Sequence, residues 1–146
     1  MTVEEAKKAI LDIWDAGLDG RKFMMDLGAE RVAVACNGCG PASWPQEWRN
    51  ALGSWLRTFK YAFDVHDCDF TYRNDGLQPK FNDANDRLEV NCLKLADLKY
   101  AWWNPCRYIA RRKGRLAAWA CRTFGWNSWL DAYYKSHNNT TKKENT

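Results

Sequence analysis

Apolar residues recur at steps of three and four along most of the chain, which predicts helices and no clear strand. Near the start, Ala6, Ile10, Ile13, Trp14 and Leu18 share one side of a helix that runs to about Gly17 or Gly20. Thr2 and Glu5 supply a capping box at its beginning. The stretch "RKFMMDLGAE" predicts a short second helix. After it, "VAVACNGCGPASWP" is rich in glycine and closed by proline, and reads as an ordered loop.

Pro45 suits a first helical position. From Trp48 through Leu52, Trp55, Leu56, Phe59, Ala62, Phe63 and His66 to Phe70 a single apolar stripe predicts one long helix. The Asp-Gly of "RNDGLQ" breaks it. Pro79 opens another helix, with Phe81, Ala84, Leu88, Cys92 and Leu95 inward and an end near Asn104-Pro105. Residues 106–123 predict a further helix whose apolar side is Tyr108, Ile109, Leu116, Trp119 and Ala120. Arg107, Arg111, Arg115 and Arg122 fall largely on its other side, and core packing accounts for at least two of Trp102, Trp103 and Trp119. A last short helix over "SWLDAYY" precedes a polar tail expected to be disordered. The expected class is all-α, with one domain over 1–136 and the tail at 137–146.

At 146 residues, 46% hydrophobic and 27% charged, the chain suits one soluble globular domain and excludes a wholly disordered one. No apolar run approaches the ~20 residues that cross a bilayer, so no transmembrane segment is expected. The opening lacks the parts of a signal peptide, which predicts synthesis in a cytoplasm without an export route of its own. In that setting the six cysteines are expected to be mostly buried thiols. Charge is uneven. Residues 1–98 carry 12 Lys or Arg against 16 Asp or Glu, whereas residues 99–146 carry 10 against 2. The basic end suits an anionic partner, either a phosphate headgroup or nucleic acid, or else a solvated basic face.

The chemistry concentrates in "FDVHDCDFTYRND" at 63–75. His66 stands on the apolar stripe, and Asp67, ~100° further round the helix, faces its edge. Helices joined by a short turn pack antiparallel, which puts Asn85 and Asp86 at the height of His66. A polar group there meets one imidazole nitrogen and leaves the other for a cleft, as a general base requires. A core histidine satisfied by its neighbour is the plain structural alternative. Asp67, next to a glycine-rich loop, is a candidate ligand for a hard cation such as Ca2+. "CNGC" is also a Cys-x-x-Cys, which with Cys68, Cys92 or His66 could bind zinc.

The ordered series "CNGCGP…W…AFDVHDCDFTY…FNDANDRLEVNC" resembles phospholipase A2, in the form of the phospholipase A2-like domains of bacteria, phages and parvovirus capsids. The resemblance covers roughly residues 34–95, with a looser echo in "FGWNSWLDAYY". It implies two long antiparallel helices carrying the site, flanked by N- and C-terminal helices. It further implies calcium-dependent hydrolysis of the sn-2 ester of glycerophospholipids at a membrane surface. His66 would be the base, and Asp67 with the carbonyls of Gly38, Gly40 and Ala42 would hold Ca2+. The Gly40 amide could add an oxyanion donor. A phage or prophage-bearing bacterium would be the source, with release by lysis or carriage in a phage particle.

The partner of His66 differs between two versions of the family motif. The viral type places it at Asn85, the secreted animal type at Asp86, and the inward pattern Phe81, Ala84, Leu88, Cys92 favours Asn85. An amide accepts from an imidazole N–H but lacks the charge that steadies imidazolium. In a serine protease triad the like change costs about 10⁴ in kcat. The resemblance thus implies either a slow enzyme or a module that keeps the fold and binds anionic lipid or nucleic acid. Ala62 and Asp69 stand where the animal enzymes have bridge-forming cysteines, and Cys68 is displaced by one, so that disulfide framework is expected to be absent.

Overall fold

The computed structural model describes residues 1–36, 47, 53, 54 and 56–143, with 136–143 as backbone alone. Among the described residues every regular element is helical. The helices are α1 (Val3–Asp15), α2 (Arg21–Leu27), α3 (Ala29–Ala35), α4 (Lys60–Tyr72), α5 (Gln78–Lys99), α6 (Pro105–Phe124) and α7 (Trp126–Lys143). A 3-10 turn, Arg57–Phe59, leads into α4.

The capping box forms as expected, with Thr2 N donating to Glu5 Oε2 at 2.7 Å and Glu5 N to Thr2 Oγ1 at 3.2 Å. At the other end of α1, Gly17 takes φ +63° and Leu18 N–H reaches back to Ile13 O at 3.1 Å. This left-handed closure folds Leu18 onto the buried face of α1.

Three apolar clusters meet around α4. Ile10, Ile13, Leu18, Met24 and Val32 pack with Val65 and Cys68 on one side. Phe59, Ala62 and Phe63 pack with Leu88 and Cys92 of α5 and Ala118 of α6 on another. Phe70, near the end of α4, joins Phe81 and Trp129. Covered from several directions, α4 buries Asp64, His66 and Asp69 along with its apolar residues.

Several sequence expectations need correction. Trp14 is exposed, with the Arg21 guanidinium 5.6 Å above its ring, because α2 and α3 cover only the Ile10–Ile13 side of α1. The second helix is two helices, α2 and α3, divided at Gly28, whose φ of +77° no ordinary helical residue adopts. α3 also takes in Val32–Ala35, the first part of the expected loop. The long helix before His66 is interrupted by a turn at Leu56 and the 3-10 segment, so α4 starts only at Lys60. Pro45, Trp48, Leu52 and Trp55 lie outside the described residues.

The largest correction concerns α6. Ala110, Gly114, Ala117 and Ala118 form the buried side of α6, while Tyr108, Ile109, Leu116 and Trp119 are exposed. A Cβ added to Gly114 would come within 2.8 Å of Cys92 Cβ, so α5 and α6 approach too closely for a large side chain between them. Trp102 and Trp103 are 83% and 70% exposed, and core packing therefore fails for all three tryptophans in question. The arginines run along the α5 edge, where Arg107 and Arg111 grip Asp97 at 2.7 and 2.6 Å.

α5 ends at Lys99, short of the expected Asn104, and the backbone of α7 continues through Lys143, beyond the end of its apolar pattern. No helix among the described residues is long and apolar enough to cross a membrane.

Candidate functional site

The α4–α5 turn is built by side chains that replace backbone partners. Asn74 Oδ1 accepts from Gly76 N at 2.9 Å, and Asp75 Oδ1 accepts from Leu77 N at 3.0 Å. Gly76 takes φ +75° between them. Asn74 Nδ2 also donates to Trp129 O at 2.6 Å, tying the turn to α7. The helices leave this turn antiparallel and bring His66 level with Asn85.

His66 Nε2 lies 3.2 Å from Asn85 Oδ1. Asn85 Nδ2 donates to Phe81 O at 2.8 Å. The second bond settles the first. With its NH2 group held by the Phe81 carbonyl, Asn85 presents only oxygen to the ring, so Nε2 carries the proton and Nδ1 keeps a lone pair. Burial pushes the His66 pKa down to about 4; the Asn85 bond opposes this and the Arg87 charge adds to it. The imidazole is therefore neutral near pH 7. Phe70 lies 4.4 Å from it between ring centroids and Phe63 6.4 Å, the latter edge-on. Trp129, fully buried, packs edge-to-face on Phe70 at 4.8 Å and so backs the histidine from α7.

Asp86 points the other way. It is exposed and paired with the Arg122 guanidinium, not with His66. Of the two candidate partners, only Asn85 reaches the imidazole.

Asp67 is half-buried and lines a cavity of about 400 Å³. Asp64, Lys60, Tyr61 and Phe63 share that wall, and Glu5 and Lys8 of α1 stand on the other. His66 is not among the described residues lining the cavity; Phe63 is. The Asp64 pKa is pushed up by burial, which Lys60 at 2.7 Å counteracts. Gly38, Gly40 and Ala42 lie outside the described residues.

The zinc alternative gathers only part of its set. Cys36 Sγ lies 3.9 Å from Cys68 Sγ and 3.4 Å from the Asp64 carbonyl. The neighbouring Cys68 and burial both push the Cys36 thiol up, so it stays protonated. Cys92 belongs to the α5–α6 cluster and His66 is bonded to Asn85, while Cys39 lies outside the described residues. Among the described residues no group of three or more His, Cys, Asp or Glu is placed to hold a metal ion. Of the described cysteines Cys36, Cys68 and Cys92 are buried, Cys121 is half-buried and Cys106 is exposed.

Sequence reasoning passed over three residues that hold the site together. Arg87 Nη1 bonds Asp69 Oδ2 at 2.6 Å across the hairpin, and its Nε bonds Asp19 Oδ2 at 3.2 Å. Asn91 accepts from Asp19 N at 2.8 Å and donates to Asp19 O at 2.9 Å. Asn85, Leu88 and Asn91 follow one another at steps of three, so a polar residue continuing an inward stripe was the available signal. Trp129 was equally legible as one of two tryptophans a helical step apart, Trp126 being the other. No protein-family model, curated protein or solved structure matches the chain.

Proposed function

We propose that the chain is a calcium-dependent lipid esterase of the phospholipase A2 type, with His66 as its general base. The observation that carries this reading is the His66–Asn85–Phe81 hydrogen-bond relay, which leaves Nδ1 unprotonated in a neutral ring. In the proposed reaction a water oxygen attacks the sn-2 carbonyl carbon while Nδ1 takes the water's proton. Collapse of the tetrahedral intermediate expels the glycerol oxygen, which takes that proton back from Nδ1. Asp67 would supply a side-chain oxygen for Ca2+, and the resemblance assigns the carbonyls of Gly38, Gly40 and Ala42, which lie outside the described residues, to the same ion. When bound, the cation supplies Lewis-acid polarisation of the phosphate and ester oxygens.

A base of depressed pKa beside a neutral amide makes such an enzyme slow. Imidazolium formed there has no carboxylate to steady it, and the comparable loss elsewhere is about 10⁴ in kcat. A second reading keeps the hairpin and drops the reaction, leaving a module that binds anionic lipid. It is favoured by the separation of His66 from the cavity that Asp67 lines. Fatty-acid release from mixed micelles at millimolar calcium decides between them. Release abolished by chelator and by His66→Ala supports the esterase, and no release at any calcium concentration overturns it.

A further inference from the structure

α6 carries two apolar faces. The inner one is made of small residues and lies against α5. Along the outer one Tyr108, Ile109, Leu116 and Trp119 fall within a sector of ~100° around the axis, with Arg112 at its centre. Trp102 and Trp103, in the connection before the helix, extend this surface past its N-terminus. With Tyr108, Arg107 and Arg111 they wall a notch of about 330 Å³. Single exposed apolar side chains are ordinary, but a continuous face of this kind marks an interaction surface.

The chemistry of the face narrows the occupant. α6 contains no acidic residue. Its arginines along one flank are paired with α5, Arg111 at 2.6 Å from Asp97 and Arg122 at 3.7 Å from Glu89, while Arg112, within the apolar face itself, is exposed. Tryptophan and tyrosine rings beside guanidinium groups suit the boundary between headgroups and acyl chains, where rings sit at the apolar edge and arginines reach the phosphates. A second copy meeting this face about a two-fold axis would set Arg112 and its basic surroundings against themselves. Nucleic acid, held mainly through its phosphates, would leave the apolar side chains of this face uncovered.

We infer that the outward face of α6, with the Trp102–Trp103 corner, docks on an anionic phospholipid bilayer and lies in its headgroup region. This surface is turned away from the α4–α5 hairpin, so the inference stands apart from ester hydrolysis at His66.

The test uses the full chain in excess chelator, which keeps any hydrolysis off. It is mixed with vesicles of phosphatidylcholine alone or of phosphatidylcholine and phosphatidylglycerol in equal parts. Co-sedimentation should favour the anionic vesicles by about tenfold or more, fade with added salt, and be accompanied by quenching of indole fluorescence by brominated lipid. The double variant Leu116→Glu, Trp119→Glu should lose about tenfold or more of this partition while keeping the unfolding midpoint, since both positions are exposed. Arg112→Glu is the second variant and should lose the salt-sensitive part. No partition by the native chain, undiminished partition by both variants, or self-association at the same concentrations that Leu116→Glu abolishes would each overturn the inference. Binding that persists when calcium yields no fatty acid would leave this surface standing and remove the esterase reading alone.

Discussion

Asn85 holds the imidazole of His66 at 3.2 Å while its own NH2 group is committed to the Phe81 carbonyl at 2.8 Å. The residue is fully buried, and turning its amide over would set Oδ1 against the Phe81 carbonyl oxygen and the NH2 group against the imidazole. Tautomer and ring orientation at His66 are thus set by one amide, and the first two predictions follow from it.

His66 has a folded-state pKa of about 4, below the ordinary histidine value of 6.5. Between those values the unfolded chain binds more protons than the folded one, so stability falls as pH drops from about 6.5 to about 4. The loss amounts to about 3 kcal/mol at most. Asp64 and Asp69, whose pKa values burial holds above the usual range, act in the opposite sense toward the acid end. Urea unfolding followed across this window should give a clear slope in the native chain and a flatter one in His66→Gln. Equal slopes would show that the imidazole is not desolvated.

Asn85→Asp exchanges an amide for a carboxylate that can steady imidazolium. The His66 pKa should rise well above about 4, as read by NMR titration of the ring protons, and esterase turnover should rise with it. The variant gives up the bond to Phe81 O, at a cost of about 1–3 kcal/mol in stability near neutral pH. A raised pKa without a gain in turnover would mean that Asn85 orients a structural histidine.

Gly114 lies where α6 crosses closest to α5. A methyl group there meets Cys92 Cβ at 2.8 Å and Phe59 Cζ at 3.6 Å. Gly114→Ala should destabilise by about 1–3 kcal/mol despite alanine's higher helix propensity, because the helices must separate to admit it. Denaturant midpoints measure this directly, and a stabilised variant would contradict the close contact.

Asn91 joins the α1–α2 connection to α5 through both polar atoms of its amide. Asn91→Ala should cost about 1–3 kcal/mol and speed amide hydrogen exchange at Asp19, whose N–H loses its acceptor. If the Asp19 amide exchanges no faster, the clamp is not holding that turn.

Much of the hairpin was legible in the linear chain. The Asp-Gly at 75–76, Pro79, and apolar steps on either side determine two antiparallel helices, and counting from the turn puts His66 level with Asn85. Thr2 and Glu5 likewise determine the start of α1, because a capping box needs only neighbours in sequence. The choice between Asn85 and Asp86 also follows from local periodicity, since ~100° of helix rotation separates them.

Tertiary packing decided what periodicity leaves open. α6 has a small-residue stripe and a large apolar stripe, and hydrophobicity alone favours burying the large one. The close approach of α5 admits only Ala110, Gly114, Ala117 and Ala118, so the larger side chains face outward. The bonds of Asn91 and Arg87 to Asp19 join residues distant in sequence, and no local pattern encodes such partners. Repeats of three and four determine that a face exists; which neighbour covers it depends on the space left when whole helices meet.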